Sequence, residues 1–326
     1  MLKRPGLVFL TEAEVRQSLA MPEAIGLAER GIEADAAGDV AGDKFYMSVG
    51  ENGFLKPFSG YMAGEEFAYV KSFSFFEGNP AQGLPATDSQ VLLFDAKTGL
   101  PVALMEADWI TGLKTGASTG ATARRLARPD SRVATIFGAG VLGRHHADAI
   151  DHLFDLDELR IVDAVPEAAG RYVSEMAGRL KAPVRVIDSA EEAVRGADIV
   201  VTVTTGSAVN VRPEWVKPGA FVARLGSYQE VAEELFEEAD RLVVDRWQYV
   251  SYRIPEMVKL IGEGRLSSGD AIEWPDIVGG RAPGRQTDSE VILFVALGIW
   301  GEYAAILPEA YRRARALGLG TVIRGG

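Results

Sequence analysis

From residue 132 to residue 245, short apolar runs alternate with longer amphipathic stretches. Each run has the length of a strand and is apolar on both faces, as in a parallel sheet that helices cover on both sides. Strand–helix alternation of this kind predicts a doubly wound parallel sheet. The predicted strands are residues 132–137, 159–163, 184–187, 198–204, 220–225 and 241–245.

The segments on either side of this region follow other patterns. Residues 12–38 have helical apolar spacing, and residues 44–106 are rich in strand formers and include a hairpin with its turn at 95–99. Residues 109–127 are helical again. After the last predicted strand the pattern is helical, and a final helix of about 288–316 is expected to return to the N-terminal part.

These patterns predict two domains, which suits a length of 326 residues. The expected fold class is α/β, with a Rossmann-type doubly wound parallel sheet in residues 119–299. A smaller α+β domain is expected in residues 1–118 plus 300–326.

Composition and charge exclude several classes of protein. The net charge is −12 and the pI about 4.9, which disfavours binding to nucleic acid or to an anionic membrane. No run of roughly 18 apolar residues is present, and the N-terminus lacks the apolar segment of a signal peptide. The chain has no cysteine, which excludes disulfides and thiolate sites and fits a cytoplasmic protein.

A glycine-rich turn follows the first predicted strand of the sheet. Residues 138–143 read Gly-Ala-Gly-Val-Leu-Gly before a helical stretch, which is the dinucleotide fingerprint in its full context. There Gly138 permits the tight turn, Gly140 lets the backbone approach a pyrophosphate, and Gly143 allows close helix–strand packing. Asp163, 20 residues past Gly143, is placed to accept a hydrogen bond from a ribose 2′-hydroxyl. A carboxylate there repels a 2′-phosphate, so NAD is predicted rather than NADP.

Histidine chemistry is disfavoured by position. His145, His146 and His152 are the three histidines of the chain, and all lie on the helix after the glycine turn. None forms an i, i+4 pair, so packing or surface roles are predicted, and no metal site. Another group must then move protons at the substrate.

Several other short segments are informative because of their residues, their order and their spacing along the chain. They include Leu10-Thr-Glu-Ala-Glu-Val-Arg16, Val70-Lys-Ser-Phe73, Leu92-Leu-Phe-Asp-Ala-Lys-Thr-Gly99, Thr111-Gly-Leu-Lys-Thr-Gly-Ala-Ser118 and Gly284-Arg-Gln-Thr-Asp288. Together these segments resemble the ornithine cyclodeaminase/mu-crystallin family, and the resemblance covers nearly the whole chain. It implies a homodimer in which residues 1–118 plus 300–326 form the dimer and hold the substrate, while residues 119–299 bind the cofactor.

The resemblance also implies hydride transfer between a nicotinamide and the α-carbon of an amino or imino acid. Lys71 matches the family lysine beside the reacting carbon. Because Val70 and several aromatic residues flank it, its pKa is expected to be lowered by desolvation, which would make it an acid–base group. The alternative is a lysine at a strand end that extends into water.

Two other lysines are candidates for binding the substrate carboxylate. Lys114 stands where the family has an arginine that grips this carboxylate, and Lys44 lies roughly where another family arginine lies. A lysine lacks the bidentate geometry of arginine, and a solvated surface lysine is the alternative at each position. Thr115 is expected near the cofactor.

One departure from the family follows the fifth predicted strand. Cyclodeaminases are expected to carry an aspartate there, whereas this chain reads Gly226-Ser227-Tyr228-Gln229-Glu230. Tyr228 is a candidate donor or a lid on the nicotinamide, and Glu230 could replace the aspartate only with a shifted loop. Residues 230–238 otherwise read as a solvated acidic helix face. The missing aspartate disfavours cyclodeamination and favours simple oxidoreduction.

The function predicted is therefore an NAD(H)-dependent reductase of an α-imino acid (a ketimine, with iminosuccinate as one candidate) or the reverse amino-acid dehydrogenase. The alternatives are an ornithine cyclodeaminase and a non-catalytic, mu-crystallin-like protein that binds NAD(P)H and a small ligand. The predicted catalytic residue is Lys71, and the predicted substrate-binding residues are Lys44, Lys114 and Tyr228. The predicted cofactor-binding residues are Thr115, Gly138, Ala139, Gly140, Val141, Leu142, Gly143, Asp163, Thr204, Gly226 and Ser227.

Overall fold

The computed structural model describes residues 6–323. The strands in this range are β1 (Leu7–Leu10), β2 (Val40–Lys44), β3 (Met47–Val49), β4 (Gly53–Met62), β5 (Phe67–Phe76), β6 (Thr87–Asp95), β7 (Pro101–Glu106), β8 (Val133–Phe137), β9 (Glu158–Val162), β10 (Val184–Val186), β11 (Ile199–Thr202), β12 (Phe221–Arg224), β13 (Arg241–Val244), β14 (Ala271–Glu273), β15 (Ile292–Val295) and β16 (Thr321–Ile323).

The α-helices in the same range are α1 (Glu12–Val15), α2 (Met21–Ala37), α3 (Asp108–Leu126), α4 (Val141–Leu153), α5 (Pro166–Met176), α6 (Ala190–Val194), α7 (Glu234–Glu238), α8 (Trp247–Arg253), α9 (Pro255–Gly262), α10 (Trp274–Val278) and α11 (Trp300–Ala316). The chain divides into two compact units. The first unit combines two segments of the chain, one up to Lys114 and the other from Trp300 onward. The second unit is Thr115–Ile299.

The first unit is built on a mostly antiparallel sheet. Its strand order is β16-β1-β7-β6-β5-β4-β2, with β3 paired to β4, and only the β1–β7 pair is parallel within the described chain. Helices α2 and α11 pack against each other, and α11 lies on β4. A Cβ on Gly31 would lie 2.4 Å from the carbonyl oxygen of Gly301, so glycine allows the two helices to approach this closely.

The second unit is built on a parallel sheet. Its strand order is β10-β9-β8-β11-β12-β15-β13-β14, and every neighbouring pair in this sheet is parallel. The chain order reverses between β8 and β11, which is the point where doubly wound sheets bind ligands at the carboxyl ends of their strands. The predicted α/β fold with a doubly wound parallel sheet is confirmed.

The prediction is wrong at the C-terminal end of this sheet. The helix expected over 288–316 begins only at Trp300, and residues Ile292–Val295 form the inner strand β15, whose four residues are buried. A short apolar run looks the same whether it forms a buried strand or part of a buried helix, so periodicity alone cannot separate the two. Strand β14 was also missed, whereas the six predicted strands are confirmed as β8 to β13.

The first predicted helix, 12–38, is two helices. Helix α1 ends at Val15 and α2 begins at Met21, with Pro22 in its first turn. Proline lacks a backbone N–H and clashes inside a helix, but it suits the first turn, so the chain starts a new helix there. The predicted hairpin is confirmed as β6 and β7, joined through Gly99 with a φ of +68°.

Among the residues that the structure describes, no helix is both long enough and apolar enough to cross a membrane. The prediction that the N-terminus carries no signal peptide concerns a segment that starts with residues 1–5, and these lie outside the described residues.

Candidate active site

The glycine turn joins β8 to α4 in the second unit. Gly138 has a φ of +110°, and a Cβ there would lie 2.8 Å from the carbonyl oxygen of Val203. A Cβ on Gly143 would lie 2.0 Å from the Gly138 carbonyl oxygen. At Gly140, the N-cap of α4, no described heavy atom outside its chain neighbours lies within 4 Å of a Cβ position. Two glycines are thus required by packing, and the third borders open space at a helix N-terminus, as a pyrophosphate site requires.

Asp163 lies directly after β9 and contacts the glycine turn. Its carboxylate accepts hydrogen bonds from the backbone N–H groups of Ala139 at 2.7 Å and Val165 at 2.9 Å. These bonds orient it at the carboxyl edge of the sheet, where the fingerprint places the ribose. Arg144 of α4, which sequence reasoning missed, donates to the carbonyl oxygens of Ala139 and Gly140 at 2.5 and 3.0 Å. It braces the turn from the helix side.

Replacing Asp163 with serine removes the negative charge without adding bulk. We expect the ratio of NADH to NADPH affinity to fall by about tenfold or more, because repulsion of a 2′-phosphate is lost together with one acceptor for the 2′-hydroxyl. Fluorescence titration of both cofactors measures this ratio, and Asp155→Ser at an exposed position is the matched control. An unchanged ratio in the Asp163 variant would remove this residue from the cofactor site.

A buried carboxylate holds the segment after β12. Glu230 accepts hydrogen bonds from the Thr202 hydroxyl at 2.8 Å and from the backbone N–H groups of Thr204 at 2.6 Å and Gly226 at 2.7 Å. Its own N–H donates to Glu256 at 3.0 Å. Glu230 is fully buried, so the expectation of a solvated face is wrong for this residue. Its carboxylate ties the ends of β11 and β12 together.

A buried ion pair supports the same loop. Arg224 and Glu256 pair at 3.0 Å, and both side chains are fully buried. Arg224 also donates to the carbonyl oxygens of Gly226 and Tyr228. The buried Arg224 therefore holds the loop backbone in place, whereas the Tyr228 side chain is 42% exposed. Sequence reasoning missed Arg224 because its partner lies 32 residues along the chain.

Two of the three histidines of α4 are buried, and the third, His152, is exposed. His145 and His146 are buried, and burial lowers the pKa of His146 to about 3, so its ring stays neutral. Neither ring nitrogen of His146 has a hydrogen-bond partner within residues 6–323. In that same range no group of three or more histidine, cysteine, aspartate or glutamate side chains could hold a metal ion.

Lys71 is buried on β5 in the first unit. Its Nζ lies 5.5, 5.3 and 5.4 Å from the ring centres of Phe58, Phe73 and Tyr303. Burial, followed by the charge of Lys56, lowers the pKa of Lys71 to about 7. The expected lowering of the pKa is therefore present, and the alternative of a lysine extended into water is wrong, because the residue is only 1% exposed. An amine with this pKa gains and loses a proton near neutral pH.

Two more lysines lie against the same aromatic rings. The Nζ of Lys44, which is buried, is 5.7 Å from the ring centre of Phe58. The Nζ of Lys56 is 5.1 Å from that ring and 5.2 Å from the ring of Phe73. Aromatic faces attract cations, so these rings gather the lysines around Lys71. Sequence reasoning missed Lys56, because it depends on the β4–β5 register that places Lys56 opposite Phe73.

Lys114 is buried near the start of α3 and forms an ion pair with Glu302 of α11, their side chains being 3% and 2% exposed. Its Nζ also lies 4.9 Å from the ring centre of Tyr303. Glu302 offsets the charge of Lys114 inside the first unit. Thr115, the next residue, is half-buried at the start of the second unit. The substrate and cofactor roles assigned to these residues remain predictions.

These features define a class of protein with a doubly wound, dinucleotide-type unit and a second unit that contains a desolvated lysine among aromatic rings. The chain belongs to the ornithine cyclodeaminase/mu-crystallin family, whose sequence profile matches residues 7–316. The family predicted from the sequence motifs is thereby confirmed.

Similar proteins extend over most or all of the chain. A Δ¹-pyrroline-2-carboxylate reductase of Thermococcus litoralis, solved with NADH and L-proline, is 30% identical, with a TM-score of 0.92 over 97% of this chain and 99% of that one. An archaeal alanine dehydrogenase dimer with bound NAD is 28% identical, with a TM-score of 0.91 over 98% and 99%. The mouse (Mus musculus) ketimine reductase mu-crystallin is 33% identical over 76% of each chain.

Proposed function

We propose that this protein is an NAD(H)-dependent oxidoreductase acting on C–N bonds, which reduces an α-imino acid to an amino acid or catalyses the reverse dehydrogenation. The observation that carries the proposal is Lys71, a buried amine with a pKa of about 7 in a family member whose dinucleotide turn is intact. The similar reductases and dehydrogenases named above support the same reaction class.

The second unit would bind the cofactor. The N-terminus of α4 and the open space beside Gly140 fit the pyrophosphate, and Asp163 fits the ribose of NAD. Thr204, Gly226, Ser227 and Tyr228 follow the carboxyl ends of β11 and β12, where doubly wound folds bind their ligands. A nicotinamide cofactor, when bound, supplies the hydride that the imine carbon receives.

Lys71 would supply the proton. Reduction of a neutral imine requires one hydride at carbon and one proton at nitrogen, and the Lys71 ammonium can give that proton near neutral pH. The burial of Lys71 removes water from its amine and favours the neutral form that remains after transfer. In the reverse direction the neutral amine accepts the proton from the substrate nitrogen.

The substrate carboxylate would be held by lysines of the first unit. The Nζ atoms of Lys44 and Lys71 both lie against the ring of Phe58. The ion pair with Glu302 reduces the charge that Lys114 can offer. Lys56 adds a cation that was not anticipated. A substrate with two carboxylates, such as iminosuccinate, matches this arrangement better than an imino acid with an apolar side chain.

Cyclodeamination is disfavoured by the loop after β12. Its segment 226–230 contains no aspartate, and the carboxylate of Glu230 accepts hydrogen bonds from Thr202, Thr204 and Gly226. We also propose that the protein is a cytoplasmic homodimer that uses the first unit for dimerisation and substrate binding. The dimeric alanine dehydrogenase supports the assembly.

The direct test is NADH oxidation by the purified protein with a panel of 2-oxo acids in the presence of ammonia or methylamine. We expect consumption of NADH with one class of oxo acid, and with oxaloacetate if the second carboxylate is recognised. Ornithine with NAD is assayed in parallel for proline. Proline formed without net change in NADH would establish the cyclodeaminase, and tight NADH binding with no reaction would favour the non-catalytic protein.

A further inference from the structure

Ser89 connects Lys71 to the next strand of the sheet. The Nζ of Lys71 lies 3.3 Å from the Ser89 hydroxyl oxygen, and both residues are 1% exposed. Ser89 lies on β6, which pairs antiparallel with β5. The Ser89 carbonyl oxygen also accepts a hydrogen bond from the Ala107 N–H at 2.9 Å. This bond fixes the start of α3 beside Ser89.

The third residue of this group is Asp108, the first residue of α3. Burial raises the pKa of the Asp108 carboxyl above its usual range, and the polar side chain of Ser89 acts against this rise. Asp108 is only partly buried, unlike Ser89 and Lys71. The hydroxyl of Ser89 thus contacts a buried amine and interacts with the carboxyl group of a residue that is only partly buried. A hydroxyl is both donor and acceptor, which a bridge that passes a proton requires.

We propose that Ser89 and Asp108 form a proton relay that returns a proton to Lys71 after each reduction, a role that rests on the proposed function. In the reaction NADH is oxidised and the imine is reduced: hydride forms the new C–H bond, and Lys71 loses a proton to nitrogen. Ser89 then donates its hydroxyl proton to the neutral amine of Lys71 and takes one from the Asp108 carboxylic acid. Asp108 is reprotonated from water, so the net uptake is one proton per imine.

Several other charged groups act on Lys71 and must be separated from the relay. Lys56 on β4 and Lys114 on α3 lower its pKa, whereas Asp108 and Asp88 raise it. Lys44 on β2 and Tyr303 on α11 face the same aromatic cluster. Asp88 is the matched control, because it has the same charge as Asp108 and lies next to Ser89, but it is exposed.

The test compares Ser89→Ala, Ser89→Thr, Asp108→Asn and Asp88→Asn. We expect kcat for imine reduction to fall by about tenfold or more in Ser89→Ala and Asp108→Asn, less than the roughly 10²-fold or larger effect of removing the group that transfers the proton itself. KM stays within about twofold, and the solvent isotope effect on kcat rises, because reprotonation becomes slow. Ser89→Thr keeps the hydroxyl and should retain turnover. Asp88→Asn keeps kcat.

A second readout does not depend on activity. NMR titration of ¹³C-labelled lysine follows Lys71, whose midpoint is expected to fall in both Ser89→Ala and Asp108→Asn. Normal wild-type turnover with equal kcat values for Asp108→Asn and Asp88→Asn would overturn the relay and leave the proposed function intact. An unchanged Lys71 midpoint in Ser89→Ala and Asp108→Asn would also overturn the relay. A wild-type protein that oxidises no NADH would overturn the proposed function, and the relay's catalytic role with it.

Discussion

Replacement of Lys71 by methionine is expected to lower the turnover of imino-acid reduction by about 10²- to 10⁴-fold, the contribution of a positioned acid–base group. Methionine has similar length and packs well among aromatic rings, so the fold is retained. The Kd for NADH should stay the same, because every residue predicted to contact the cofactor remains. Steady-state kinetics and fluorescence titration of NADH together measure this separation of turnover from binding.

The control for this variant is Lys97→Met, which removes an exposed lysine in the β6–β7 turn. It should leave both kcat and Kd unchanged. Full activity in Lys71→Met would contradict the assignment of Lys71 as the proton donor. Loss of NADH binding together with activity would instead indicate a structural role for this lysine.

The pH dependence of the wild type follows from the same residue. In the proposed reaction the Lys71 ammonium, whose pKa is about 7, gives the proton, so kcat for reduction should decrease as pH rises through 7. The reverse dehydrogenation requires the neutral amine, so its rate should increase over the same interval. A flat profile between pH 6 and 9 in both directions would contradict this account.

The second large effect is expected at Gly140. A Cβ there meets open space in the protein, so Gly140→Ala should fold, with a cost of about 1 kcal/mol or less for a poorer N-cap. The methyl group would occupy the space that we propose for the pyrophosphate. Overpacking of about 1–3 kcal/mol corresponds to a roughly 5- to 150-fold rise in the Kd for NADH.

Two other glycine-to-alanine variants show whether a loss of NADH affinity in Gly140→Ala comes from the cofactor site or from the fold. Gly170→Ala in α5 also adds a methyl group in open space, and it should leave NADH affinity unchanged. Gly143→Ala places a Cβ 2.0 Å from the Gly138 carbonyl oxygen, so it should lower both stability and affinity. Unchanged NADH affinity in Gly140→Ala would contradict the placement of the pyrophosphate. Thermal unfolding and fluorescence titration provide the two measurements.

The glycine turn could be predicted from sequence because its signal is local. Three glycines, the strand before them and the acid after the next strand lie within about 30 residues, and each position has one steric role. The burial of Lys71 is one of two interpretations of its local sequence, since Tyr69 and Phe73 on its face of β5 are aromatic, and the family resemblance favours it. In both cases the interacting groups are close in the chain.

The contacts that modify the predicted site come from distant segments. The ion pair of Lys114 joins it to Glu302, and the Lys56 position depends on the register of β4 with β5. The contact between Lys71 and Ser89 depends on the β5–β6 pairing. Hydrophobic periodicity reports the face on which a residue lies, but not the residue that it meets there. Strand β15 was missed for a related reason, since its buried apolar run carries no period.

The central claim, that hydride passes from NADH to the α-carbon of an imino acid, is tested most directly by isotope transfer. NADH deuterated at C4 of the nicotinamide, in each stereoisomer separately, is incubated with the protein and the oxo acid and amine that support turnover. Mass spectrometry of the amino acid formed should show one deuterium at Cα from one stereoisomer and none from the other. An amino acid without deuterium from either stereoisomer would contradict the claim.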